Sequence, residues 1–457
     1  MPELKQVEIK AAPLKRFQAL LGERFAEIER GAAGARETFA GRRIWHVSST
    51  ARGGGVAEML RALLPYARDA GVDVRWLVLP ETDGFFTVTK RIHNRLHGAE
   101  GDGGALGDKA RAVYEGALAL SADRLRETVD PEDVIYLHDP QTAGLVPAMK
   151  EAGAAVIWRC HIGVDRPDDL AREAWDFLRP YVEPADAYVF SRREYLWEGL
   201  DPQRAWFMPP VIDPFSPKNE EMDAGQVAAM LAEVAREATI VEEAPLPPDA
   251  TAVAQVSRWD RLKDQGGALE VFERHLEHPD AHLLIVGPDS AGVSDDPEGA
   301  AVYREVVEHW RGMGAACRAR SHLISLPMDD LERNARMVNA LQRRADLIMQ
   351  KSLAEGFGLT VAEAMWKARP VVAGRVGGIQ DQVVDGRTGI LVDDPRDLPA
   401  FARAIEAILG DRERREAMGQ AGRERVRNNY LAVDRLREYV GLVETLIHRN
   451  PRTGLSG

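Results

Sequence analysis

Residues 345–367 read Ala345-Asp346-Leu347-Ile348-Met349-Gln350-Lys351-Ser352-Leu353-Ala354-Glu355-Gly356-Phe357-Gly358-Leu359-Thr360-Val361-Ala362-Glu363-Ala364-Met365-Trp366-Lys367 and change character twice. Ala345 to Gln350 is a short apolar run, as expected of a buried strand. The chain then turns through Glu355, Gly356 and Gly358 and enters a helix-forming run, Leu359 to Lys367. A strand, a glycine-containing turn and a helix start bring backbone N–H groups and a positive dipole end to the mouth of a site. Glu355 falls in the turn, and Glu363 lies about a turn and a half into the helix. The spacing alone fits an ordinary strand-to-helix connection with surface glutamates equally well.

The same alternation recurs on both sides. Strands are expected at Arg43–Ser48, Val74–Leu79, Val134–His138, Ala155–His161 and Asp186–Phe190, with helical segments between them. Pro209 to Pro217, with four prolines, then reads as a linker. A second series follows at Ala252–Ser257, His282–Val286, His322–Leu326, Ala345–Gln350, Pro370–Ala373 and Ile390–Val392. This pattern predicts two doubly wound α/β domains with parallel sheets covered on both faces. At 457 residues the chain is too long for one core and suits two domains of about 200 residues each.

Three further stretches carry local expectations. Leu14, Phe17, Leu21, Phe25 and Ile28 give residues 14–30 the spacing of an amphipathic helix, followed by a Gly/Ala-rich spacer. Residues 80–98 mingle polar and aromatic groups without a clean apolar stripe and read as a binding loop with a short helix. From Asp397 onward the pattern is mostly helical.

Composition narrows the function. Acidic residues outnumber basic ones 72 to 59, for a net charge of -13 and a pI near 5.5, which argues against nucleic-acid or anionic-membrane partners. Two cysteines, Cys160 and Cys317, cannot build a disulfide scaffold or a thiolate metal site. The N-terminal residues lack an apolar signal core, and no run is long enough to span a bilayer. A soluble cytoplasmic protein is expected.

Candidate chemistry clusters at the carboxyl ends of the expected strands, where open α/β sheets bind ligands. Gly53, Gly54 and Gly55 follow the first strand and precede a helix, a pattern suited to close approach by phosphate. It is neither a Gly-x-Gly-x-x-Gly fingerprint nor a P-loop. Arg258 and Lys263 follow the first strand of the second half and could neutralise a diphosphate, one as a forked donor and one as a point charge. His161 ends one strand, and His138-Asp139-Pro140-Gln141 closes its neighbour, so two polar tips are expected to face one crevice. No His-Glu-x-x-His or Asp-x-Asp spacing occurs, so no metal ligands are assigned and no essential metal is expected.

In this order, Gly53-Gly54-Gly55, His161, Arg258 with Lys263, and Glu355 followed eight positions on by Glu363 resemble retaining GT-B glycosyltransferases of family 4. Trp45–Thr50, Phe85–Lys90, His138–Gln141 and Arg159–Ile162 resemble its trehalose synthase branch. The resemblance implies two Rossmann-like parallel-sheet domains facing a central cleft: residues 1–211, joined by a C-terminal helix at about 432–457, and residues 212–431. It implies a sugar-nucleotide donor, UDP- or ADP-glucose, held by Gly53, Gly54, Gly55, Arg258, Lys263, Glu355, Gly356, Phe357, Gly358 and Glu363. Glu363 would bind the ribose; Glu355, with the N–H groups of Phe357 and Gly358, would bind the transferred glucose. Arg258, Lys263, His161 and Glu355 would carry catalysis, His161 near the glucose 6-hydroxyl. Glu81, Lys90, Asn94, Asp139 and Gln141 are assigned to the acceptor glucose.

The implied reaction is transfer of α-glucosyl to free glucose, giving α,α-trehalose and a nucleoside diphosphate without a cofactor. No second carboxylate stands out as the nucleophile that a retaining double displacement would need. Rivals are a trehalose phosphorylase working through glucose 1-phosphate, a family 4 enzyme with another acceptor, a sugar-nucleotide sensor without turnover, and an NAD-dependent dehydrogenase. The missing third glycine counts against the last. Oligomeric state stays open, with a homodimer as one option.

Overall fold

The computed structural model describes residues 4–51, 54–80, 83–289 and 297–449. The chain divides into two compact units, Met1–Val211 with Leu431–Gly457, and Ile212–Tyr430. Each is built on a seven-stranded sheet.

In the first unit the strands are β1 (Lys5–Val7), β2 (Arg43–Ser48), β3 (Asp73–Val78), β4 (Val134–His138), β5 (Ala155–Cys160), β6 (Ala187–Phe190) and β7 (Ala205–Phe207). Their order across the sheet is β1-β3-β2-β4-β5-β6-β7, all parallel except β1, which pairs antiparallel with β3. The second unit contains β8 (Thr239–Val241), β9 (Thr251–Val256), β10 (Ala281–Pro288), β11 (Ser321–Leu326), β12 (Leu347–Gln350), β13 (Val371–Gly374) and β14 (Gly389–Val392). Their order is β14-β13-β12-β9-β10-β11-β8, with only β8 antiparallel.

Both orders are doubly wound. The chain lays down a central strand, steps outward on one side, and returns to build the other. Consequently the loops after β2 and β4 diverge in the first unit, and those after β9 and β12 diverge in the second. Such a switch point leaves a crevice beyond the carboxyl ends of the two central strands. The apolar runs that predicted these strands supply the cores: Val47, Leu137 and Trp158 in the first unit, Val253, Leu283, Leu347 and Val372 in the second, all buried.

Two local expectations are corrected. The helix expected over 14–30 is broken, because Gly22 turns at φ 56 between short helical turns and the helix Phe25–Thr38. That second helix runs through the supposed Gly/Ala spacer, where buried Ala32 and Ala35 allow close packing. Residues 83–96 form one regular 14-residue helix instead of a loop and a short helix. Its buried stripe, Phe85, Val88, Ile92 and Leu96, recurs every three or four positions, hidden in the sequence by threonines and cations between. The short edge strands β1, β7 and β8 carry no period long enough to read.

The C-terminal helix Ala432–Arg449 belongs to the first unit. Asp434 accepts from Arg24 at 3.0 Å, Thr38 donates to Glu444 at 2.9 Å, and the Tyr439 ring meets Tyr136 at 5.6 Å.

Candidate active site

In the second unit the crevice lies between the loops after β9 and β12, where the sequence placed its cations and its Glu355-to-Glu363 stretch. After Val256 the chain passes through Arg258 and closes a turn at Arg261–Lys263, whose start is capped by the Asp260 carboxylate accepting from Leu262 N at 2.8 Å. The buried Gln255 amide joins the loops: its nitrogen donates to Lys263 O at 2.7 Å, and its oxygen accepts from Lys351 N at 3.2 Å. Leu353 N donates to Leu262 O at 2.8 Å and adds a backbone tie.

These ties bring the Lys263 ammonium onto the Glu355 carboxylate in a close ion pair with both side chains mostly buried. Arg258, on the same loop, stands half-exposed, 3.4 Å from Asp260. Gly358 caps the helix Leu359–Trp366 at φ 83, and no side chain caps that helix start by hydrogen bond. The turn is fixed from behind: Gln382 donates to Phe357 O at 2.5 Å and to Gly358 O at 3.2 Å, and Gly378 N donates to Gly356 O at 3.2 Å. A Cβ on Gly378 would come within 2.7 Å of Phe357 Cα, so glycine is required for that approach. Glu363 is buried, with the Lys218 ammonium 3.6 Å away.

A second layer escaped the sequence reading. Lys351, almost wholly buried, pairs closely with Asp264 and donates to Pro395 O at 3.0 Å. Asp264 also caps the next helix by accepting from Gly267 N at 3.1 Å. Lys367 is buried against Asn219 at 3.0 Å, and burial pushes its ammonium down to about 7. An Asp before a helix signals a cap; nothing local signals that a lysine 87 residues away lies on it.

In the first unit Gly54 lies at φ 80 and caps the helix Gly55–Asp69. Gly53 and Glu81 fall outside the described residues. Lys90 and Asn94 share one face of the Asp83–Leu96 helix, a turn apart. Asp139 adopts a left-handed backbone at φ 63, and its carboxylate accepts from His161 N at 2.7 Å. Burial raises the Asp139 carboxyl to about 7, although that N–H and the charge of Arg159 work against it. Gln141 Oε1 is buried without a hydrogen-bond partner among the described residues.

His161 does meet the closing turn of β4, since its Nε2 lies 3.3 Å from His138 Nδ1. Behind that pair, His138 Nε2 lies 3.0 Å from His46 Nδ1 on β2. Burial lowers all three imidazoles, His46 to about 3, with Arg159 adding to the shift. The row is therefore neutral near pH 7 and suited to hydrogen bonding, not to supplying charge. Among the described residues no group of three or more metal-ligating side chains converges.

Comparison with known proteins adds identity to this geometry. Residues 46–197 match the family "Trehalose synthase, N-terminal domain", and residues 237–425 match "Glycosyl transferases group 1". The chain is 35% identical to the trehalose synthase of Pyrococcus horikoshii over 451 residues, covering 98% of this chain and 99% of that one. It is 38% identical to the trehalose synthase of Rubrobacter xylanophilus over 411 residues, covering 89% and 91%. A trehalose phosphorylase of Pleurotus pulmonarius is 25% identical, over 81% of this chain and 52% of the relative. Among solved structures, an α,α-trehalose-phosphate synthase (UDP-forming) from Burkholderia vietnamiensis superposes with a TM-score of 0.69 at 16% identity, covering 90% of this chain and 100% of that one. Anabaena HepE in complex with UDP-glucose gives 0.61 at 15%, covering 89% of this chain and 99% of its own. The chain belongs to the trehalose synthase family of GT-B glycosyltransferases.

Proposed function

We propose that the protein is a retaining glucosyltransferase that makes α,α-trehalose from UDP- or ADP-glucose and free glucose, reversibly and without a metal. The observation that carries this reading is the cluster at the second unit's switch point: Lys263 paired with Glu355, Arg258 on the same loop, and a helix start that no side chain caps by hydrogen bond. Two cations and oriented N–H groups suit a departing nucleoside diphosphate, whose developing charge is the main thing the reaction needs stabilised. Glu355, Phe357 and Gly358 then hold the transferred glucose, and the buried Glu363 holds the ribose. His161 contacts the same glucose. Lys90, Asn94, Asp139 and Gln141 remain the assigned acceptor groups, with Glu81.

Departure of the diphosphate breaks its bond to the glucosyl C1. The acceptor hydroxyl oxygen forms a new bond to C1 on the same face, and its proton passes to the departing phosphate. No enzyme nucleophile enters this route, in keeping with the engagement of Glu355 by Lys263.

The test supplies trehalose with UDP, ADP or inorganic phosphate in turn and identifies products by NMR. Nucleoside diphosphate glucose formed with UDP or ADP supports the proposal. Glucose 1-phosphate appearing only with phosphate overturns it in favour of a phosphorylase. Activity should survive EDTA; complete loss restored by a divalent metal would refute the metal-free route.

A further inference from the structure

His46 lies within the carboxyl half of β2, His138 ends the adjacent β4 and His161 follows β5, and the three rings meet edge to edge in nearly parallel planes. The His46 and His138 centroids are 5.3 Å apart at 23°, and those of His138 and His161 are 5.6 Å apart at 13°. The Tyr136 ring lies parallel to one face of His46, with centroids 4.8 Å apart at 8°. The contacts are ordered as well as close: Nδ1 of each ring meets Nε2 of the next, from His46 through His138 to partly exposed His161.

That order has a consequence for protons. A neutral imidazole carries one N–H, so one ring nitrogen donates and the other accepts. If His46 donates from Nδ1, His138 must accept at Nε2, must carry its own proton on Nδ1, and must donate to His161 Nε2. His161 is then protonated on Nδ1. If His161 donates from Nε2 instead, the same logic puts the proton on Nε2 of all three. A mixed row breaks a hydrogen bond in a buried place.

We propose that His46 and His138 are positioning residues that fix the tautomer and ring plane of His161, the three imidazoles holding one shared tautomer. His161 Nε2 is used within the row, which leaves Nδ1 as the atom for a sugar hydroxyl. Whether that atom donates or accepts is then set by rings that touch no substrate. This last step rests on the reading of His161 given above; the shared tautomer does not.

The surroundings favour neutral rings. The charged and titratable groups near the row are Arg159 on β5, Tyr136 on β4, Asp139, and, through Arg159, Arg435 and Glu438 of the C-terminal helix. Arg159 disfavours imidazolium at every ring of the row.

The experiment is long-range 1H–15N correlation on the full-length protein labelled with 15N-histidine, assigned by single substitutions. Between pH 6 and 8 the three rings should be neutral and of one tautomer. Mixed tautomers in the wild type overturn the proposal, and this readout needs no variant to fold. His46→Phe keeps a flat ring against Tyr136 and removes both nitrogens. It should leave His161 a mixture of tautomers and lower kcat by roughly tenfold or more, with donor KM little changed. An unchanged His161 signal in His46→Phe overturns the proposal. His46→Asn, which offers an amide near the Nδ1 position, should recover part of the loss. A coupled row in a protein that makes no trehalose would sink the proposed function alone; trehalose synthesis with uncoupled rings would sink the row alone.

Discussion

Lys263 and Arg258 do different work within one loop. Lys263 is mostly buried and its charge is already matched by Glu355, whereas Arg258 is half-exposed with a weaker partner in Asp260. In the proposed reaction both face growing charge on a leaving diphosphate. Replacing either by Ala should lower kcat by about 10²- to 10³-fold, roughly 3–4 kcal/mol of transition-state stabilisation. Steady-state kinetics with saturating glucose checks this, and wild-type kcat in Arg258→Ala would remove that residue from the mechanism. Gly358 makes a second case at this scale. At φ 83, with Ile379 Cγ1 3.0 Å and Glu355 Cγ 3.2 Å from an added Cβ, Gly358→Ala forces both backbone strain and a shift of Glu355. We expect a loss of about 1–2 kcal/mol in urea unfolding and weaker donor binding. The residue types at these positions were legible as chemistry from the chain alone. The partner each would find was not, because Lys263 and Glu355 are 92 positions apart.

The elements at the candidate site are held by polar ties from one loop to the next. Asp264 shows this most plainly, since one carboxylate caps the Gln265–Arg274 helix and neutralises buried Lys351. Asp264→Ala removes the cap and leaves an ammonium in the protein interior with, among the described residues, one carbonyl acceptor, Pro395 O. The expected cost is about 3 kcal/mol, the lower end for breaking a buried pair because Asp264 is itself partly exposed. Chemical denaturation monitored through the second unit checks it, and a change under 1 kcal/mol would show that Lys351 finds water or another acceptor. Element by element, the inner strands were legible because each is a largely apolar run, whereas the three-residue edge strands β1, β7 and β8 were too short to read. The Asp83–Leu96 helix was not legible either, since Thr87, Lys90, Arg91 and Asn94 on its outer face obscured a stripe that only a helical projection separates.

For the molecule as a whole, buried histidines set the response to acid. His46, His138 and His161 in the first unit, and His282 and His322 in the second, are all lowered, chiefly by burial. Each stays neutral in the fold where the unfolded chain would bind a proton. Their contribution is therefore fully present above the ordinary imidazole value of 6.5 and is lost as pH falls below it, by up to about 1.4 kcal/mol per pH unit for each ring. Asp139 works the other way: raised to about 7, it costs stability as pH rises from the ordinary carboxylate range, so acidification relieves it. Asp434, also raised by burial, acts in the same sense, and five rings outweigh two carboxyls. The urea midpoint should fall steadily from pH 7 to pH 5, and an unchanged midpoint would contradict the burial of these rings as neutral groups. Asp139→Asn, which retains an oxygen for His161 N, should steepen that fall because it removes one of the opposing groups. Among the described residues no helix is long and apolar enough to cross a membrane.

The sequence by itself determined the fold class and the addresses of the site. Continuous apolar runs ending in glycine, histidine or charged turns can hardly be anything but buried parallel strands with their chemistry at the carboxyl ends, and the family pattern is spread along the chain in order. Tertiary structure alone decided which of those addresses meet. Strand order is not written locally: it is the doubly wound crossover that sets β9 beside β12 and β2 beside β4. Only then do Lys263 and Glu355 become a pair, Asp264 the counterion of Lys351, and three separate histidines one hydrogen-bonded row. The physical reason is that a strand's burial depends on its own composition, whereas a hydrogen bond between two strands depends on the register and neighbour that the whole sheet imposes.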